Sequence, residues 1–156
     1  MFGLAVDDVD FLGKTIHIVR QVKVVRGQPC FGPPKRGKTR DVPLPGSVGL
    51  ALAQHIERHP PVSIALPWQE PAGKLVTARL IVSTVNRKAL RKTAFNRCVW
   101  KPALCHAGAP PSRENGFHAL RHFYASKLLD AGETIIALAA YLGTPTQVSP
   151  CGLIRT

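Results

Sequence analysis

The 156-residue chain is poor in acidic side chains: nine Asp and Glu stand against 21 Lys and Arg, a formal charge of +12. An excess that large points to a polyanionic partner, nucleic acid first and an anionic membrane surface second. Long apolar runs are also missing. The longest are short, such as residues 135–142 (IIALAAYL), and fall well below the roughly 20 residues a membrane-spanning helix requires. The opening residues, MFGL, lack the basic-then-apolar pattern of a secretion signal, so the expected location is the cytoplasm. Cysteine is sparse and badly spaced for a metal. Cys30, Cys98, Cys105 and Cys151 form no C-x-x-C pair, and free thiols in a reducing compartment are the better reading. Neither a metal nor a cofactor is expected. There is no internal repeat.

What is present suits one folded domain. The hydrophobic fraction is 45%, which argues against disorder along the whole length. Residues 14–25 (KTIHIVRQVKVV) alternate and are rich in β-branched side chains, so extended chain is expected there. Residues 26–29 (RGQP) signal a turn. Residues 30–35 and 40–44 suit further short strands joined by the basic turn Arg36-Gly37-Lys38-Thr39. Pro43 and Pro45 make the last of these an edge strand or its end. Residues 45–59 read as a helix, with Ser47 as N-cap and an apolar stripe of Leu50, Leu52, Ala53 and Ile56; Pro60-Pro61 stops it. Residues 60–92 carry a weaker pattern, with extended chain over 75–85. Helices are expected over 93–108, with a kink at Pro102, over 117–131 and over 133–142, the last two closed by Gly132 and Gly143.

Two segments carry chemistry. Residues 34–45 (PKRGKTRDVPLP) would place Lys35, Arg36, Lys38 and Arg40 at the tip of a hairpin, a suitable surface for a phosphate backbone. A solvated basic turn is the competing reading. Residues 117–126 (FHALRHFYAS) place His118, Arg121 and His122 at i, i+3 and i+4, on one helix face beside the apolar residues Phe117, Leu120, Tyr124 and Leu128. Arg offers a bidentate fork to phosphate oxygens, and His donates a hydrogen bond or moves a proton near neutral pH. Solvent-facing basic residues are again the competing reading.

Taken together, the segments resemble the tyrosine recombinase (phage integrase) family. The family's hairpin lysine is matched by K-x-x-x-x-R-x-V-P-L at residues 35–44, and its H-x-x-R helix by HALRH at 118–122. The stretch from Leu129-Asp130-Ala131-Gly132 to Tyr141-Leu142-Gly143 resembles the approach to the family's L-G-H. Residues 3–11 (GLAVDDVDF) resemble its G-L-x-x-x-D-V-D segment. The resemblance covers residues 3–143, in family order.

The resemblance implies an α+β fold: a mainly helical catalytic domain with a small N-terminal antiparallel β-sheet. It implies phosphoryl transfer without a metal, in which fixed cations stabilise the transition state. Lys35 would protonate the leaving 5′ oxygen, Arg121 would neutralise the pentavalent phosphate, and His118 would hydrogen-bond it. Lys35, Arg36, Lys38, Arg40 and His122 would contact DNA. Lys35 is expected on the hairpin, and His118 and Arg121 at the start of a helix, facing the same cleft; Lys35 far from Arg121, on opposite faces, would undo the assignment. The partner would be double-stranded DNA, with a weak homo-oligomer assembling on it.

Two family features have no match. The first arginine, expected in an R-x-G-E segment ahead of Gly3-Leu4, has no counterpart. After Leu142-Gly143 the family's His or Trp and its tyrosine nucleophile do not follow, and Tyr124 and Tyr141 stand at the wrong places. Residues 144–156 (TPTQVSPCGLIRT) lack any period. With suitable synonymous codons and one restored nucleotide, they read His-Ala-Asp-Pro-Gly-Phe-Thr-Leu-Arg-Thr-Tyr-Thr-His, which contains both missing residues. The expectation is therefore a partial catalytic domain over 1–143, cut short at both ends, with a non-family tail over 144–156 that is either frame-shifted or naturally divergent. Such a chain would bind DNA without recombining it. The alternative is a non-enzymatic DNA-binding protein that occupies recombination sites.

Overall fold

The computed structural model describes residues 2–110, 112 and 114–143, except for the side chain of Arg36. The frame-shift reading of 144–156, with Cys151, lies outside the described residues. The fold is α+β, with small antiparallel sheets and a helical C-terminal half.

The extended residues near the N-terminus make one long, bent hairpin. After β1 (Val9–Asp10), the outgoing arm is β2 (Thr15–Ile18) and β3 (Gln21–Val25). Arg26 and Gly27 turn it, both with positive φ (49° and 79°), the backbone that a tight two-residue hairpin turn requires. The returning arm is β4 (Gln28–Gly32), paired with β3, and β5 (Arg40–Pro43), paired with β2. Register runs Gln21↔Gly32 on one side of the break and Ile18↔Arg40 on the other. Residues 33–39 therefore stand opposite residues 19–20, seven against two. The expected basic hairpin tip is thus an excursion in the side of the returning arm, and Lys35 begins a 3₁₀ turn (Lys35–Gly37) within it. The strands on either side of that turn belong to different sheets. The edge position required by the prolines holds: β5 lies at the end of the β1-β2-β5 sheet.

Helix α1 (Gly46–Arg58) starts directly after Pro45, whose fixed φ suits a helix entry. Ser47 lies inside the first turn and is not the N-cap. The expected apolar stripe is only partly covered: Leu50 is 63% exposed and no α1 residue is fully buried.

The main core lies among strands. Hairpin β6 (Val62–Pro67) and β7 (Leu75–Leu80) pairs from Val62↔Leu80 to Pro67↔Leu75. Val62, Ile64 and Leu66 alternate inward, and Ala78 and Leu80 answer them across the ladder. Ala5 and Phe31 complete the cluster and join the N-terminal segment and β4 to this hairpin. The sequence pattern indicated β7 and missed β6.

The expected helix over 93–108 is a continuous run in three parts: α2 (Lys92–Phe95), a π-helical turn (Asn96–Trp100) and α3 (Lys101–His106). Pro102 stands in the first turn of α3, directly after the wide π turn. A missing N–H is tolerated there. Helices α4 (Phe117–Asp130) and α5 (Ile135–Leu142) lie close to their expected bounds. Thr134 caps α5, accepting from the Ala137 N–H at 3.1 Å. Gly143 closes it in the left-handed region (φ 65°). Cys30 is buried and Cys98 and Cys105 are exposed, all as free thiols.

A candidate phosphate-binding cleft

The start of α4 is held by aromatic side chains. Trp100 stacks on Phe117 with ring centroids 4.8 Å apart. Phe95 packs on the same ring at 5.6 Å, and Phe2 on Phe95 at 5.0 Å. The Trp100 indole N–H also donates to the Asn115 carbonyl at 3.0 Å, one residue ahead of the Gly116 N-cap. Contacts of this kind add specificity of orientation to their apolar burial. Phe117 is therefore the anchor of the helix rather than one member of a buried stripe. Leu120, in the same expected stripe, is 48% exposed.

His118 and Arg121 follow on this anchored turn. They line one open cleft of about 550 Å³ together with Lys92, Asn96, Tyr124 and Leu142. His118 is exposed and Arg121 is half-buried. An Arg121 Nη donates to the Leu142 carbonyl at 3.1 Å, the last residue of α5. His122 is exposed on α4 and is not among the residues lining this cleft.

Lys35 is exposed and lines a second, smaller cleft of about 290 Å³ with His17, Arg20 and Arg40. Asp8 forms the floor. It is 5% exposed and accepts from the Ala5 N–H at 2.8 Å and from an Arg20 Nη at 2.7 Å. A buried carboxylate so satisfied is consistent with a fixed local structure. At the rim, His17 and Asp41 face each other across the β2–β5 pair at 2.7 Å. Lys38 is exposed on the same excursion.

Arg40 lines the Lys35 cleft and reaches the end of α5, whose Leu142 lines the other. It extends from the first residue of β5, and its Nε donates to the Tyr141 carbonyl at 3.1 Å. Burial, and then the nearby Arg121 guanidinium, push its pKa below the ordinary arginine value. The strand leaving the Lys35 turn is thereby fastened to the end of α5, the same helix end that Arg121 holds from α4.

Among the described residues no group of three or more His, Cys, Asp or Glu is placed to hold a metal. No described helix is long and apolar enough to cross a membrane.

No family model matches the chain. It is 26% identical to a protein of Caldanaerobacter subterraneus subsp. tengcongensis named tyrosine recombinase XerC-like; the match covers 92% of this chain and 38% of that protein. The fold matches the Tn1549 transposon integrase solved in complex with transposon right end DNA, at a TM-score of 0.66 and 22% identity, over 92% of this chain and 45% of that one. The same integrase solved with a circular intermediate DNA matches at a TM-score of 0.67 and 24% identity, over 90% of this chain and 44% of that one. This is the fold of a tyrosine recombinase catalytic domain. The chain spans less than half the length of each of these proteins.

Of the residues singled out by motif, His118 and Arg121 share the larger cleft, whereas Lys35 lines the smaller one. Lys92 and Asn96 join the larger cleft from a helix whose sequence carries no motif. A local signal was available for Lys92, which lies in a stretch, residues 71–113, with nine Lys and Arg and no acidic residue. The tie between Arg40 and Tyr141 spans 101 positions, and no local pattern could disclose it.

Proposed function

We propose that this chain grips the phosphate backbone of duplex DNA in the paired clefts, with the charge arrangement of a tyrosine recombinase and no nucleophile among its 156 residues. The observation that carries this reading is the convergence at the end of α5. Arg121 of the H-x-x-R helix and Arg40, from the strand that follows Lys35, meet on adjacent carbonyls. Arg121 and His118 would hold the non-bridging oxygens, and Lys35 would approach a bridging oxygen from the neighbouring cleft. The charge of +12 supplies the long-range attraction.

Cleavage needs an attacking hydroxyl in line with the leaving oxygen. The chain has only two tyrosines, Tyr124 and Tyr141. Tyr124 lines the His118 cleft, but burial, Tyr141 and Glu133 push its phenol pKa above the ordinary value, which disfavours the phenolate. Tyr141 lies in the last turn of α5 and its carbonyl is taken by Arg40. These features support a reading of DNA occupation without strand cleavage.

The test is incubation with labelled duplex DNA, scored by a mobility shift and, after denaturation, by a covalent protein–DNA adduct. A shift without an adduct is expected. An adduct that disappears in Tyr124→Phe would overturn the non-cleaving reading.

A further inference from the structure

We infer that Arg40 is a second anion-binding arginine, forming with Arg121 a single site for one phosphate diester. The inference rests on the DNA-binding reading above.

The two guanidiniums arrive from different elements, β5 and α4, yet donate to consecutive carbonyls, Tyr141 and Leu142, at 3.1 Å each. Gly143 keeps this space open. A Cβ there would lie 3.0 Å from an Arg40 Nη and 3.3 Å from its Cζ. Arginine carries five N–H donors in a rigid fork. Among the described residues, each of these arginines spends a donor on a carbonyl and neither is paired with a carboxylate. The contrast with Arg20 and Arg79 is plain, since both meet an aspartate. Two like charges on one helix end repel each other. The partial negative charge of the α5 C-terminus offsets only part of that. A phosphate carries the remaining countercharge and matches two guanidinium forks.

Position supports the same assignment. Arg40 lines the Lys35 cleft and Arg121 lines the His118 cleft, so the pair forms the boundary between them. The competing role for Arg40 is a strut that only fastens β5 to α5.

The test is a double-mutant cycle on duplex DNA affinity, read by fluorescence anisotropy of a labelled oligonucleotide at fixed salt. Arg40→Gln and Arg121→Gln are each expected to weaken binding about tenfold, as for one charge-assisted hydrogen-bonded contact. The double variant should lose clearly less than the product of the two, because both remove the same contact. Arg40→Lys, which keeps charge but not the fork, should recover only part of the loss. If Arg40→Gln keeps the parent thermal midpoint and binds DNA as tightly as the parent, while Arg121→Gln weakens binding, Arg40 is a strut and the inference fails alone. If neither variant changes affinity, nor does Lys35→Gln, the DNA-binding reading fails with it. Should Arg40→Gln not fold, Gly143→Ala leaves every charge in place and crowds the Arg40 guanidinium. A several-fold loss of affinity is expected, and parent-like affinity would overturn the inference.

Discussion

Tyr124 is the residue on which the non-cleaving proposal turns. It is a tyrosine in a cleft with a histidine and an arginine, the composition of a phosphoryl-transfer site. Its surroundings oppose that use. Burial comes first, then Tyr141 and Glu133, and each favours the protonated phenol. The expected outcome is an ultraviolet titration in which one tyrosine ionises above the ordinary value of about 10. Tyr124→Phe should remove that late phase. A raised folded-state pKa contributes stability that is present below about pH 10 and is lost as pH rises through the folded value. Urea unfolding across that range should show the fall in the parent chain and a weaker one in Tyr124→Phe. Lys35, His118 and Arg121 were legible at this scale because each belongs to a short motif. Arg40 had a place in the same motif, but its partner at Tyr141 did not.

Among the elements, α5 matters out of proportion to its length. It spans Ile135–Leu142, and its closing residues receive both Arg40 and Arg121. A helix this short is marginal by itself, so its caps count. Thr134 supplies the first and Gly143 the last, and both could be read from sequence as a Thr before and a Gly after an apolar run. Thr134→Ala should cost about 1 kcal/mol of stability in urea unfolding, through the lost bond to the Ala137 N–H. The hairpin carrying Lys35 was legible in its strands but not in its shape. Alternation marks extended chain, whereas the break at residues 19–20 and the excursion at 33–39 depend on which sheet each half joins. Ser47 illustrates the same limit: its residue type suits a cap, but Pro45 set the helix start two residues earlier.

For the whole molecule, the decisive property is charge. DNA affinity should fall linearly in a plot of log affinity against log salt. Replacing Lys35 or Lys38 by Ala should reduce the slope by about 0.9 for each lost phosphate contact, as counterion release requires. A slope near zero would remove the case for a nucleic-acid partner. Charge, residue types and motif order are additive along the chain, so the sequence by itself determined the basic character, the α+β class, the helices α4 and α5 and the three candidate phosphate ligands. The tertiary structure decided three things that depend on distant contacts. It placed the main core under β6, β7 and Phe31 rather than between helices. It anchored α4 through Phe95, Trp100 and Phe117. It also joined Arg40 to Arg121 across the end of α5, because like charges from β5 and α4 meet only where the fold brings their carbonyl partners together.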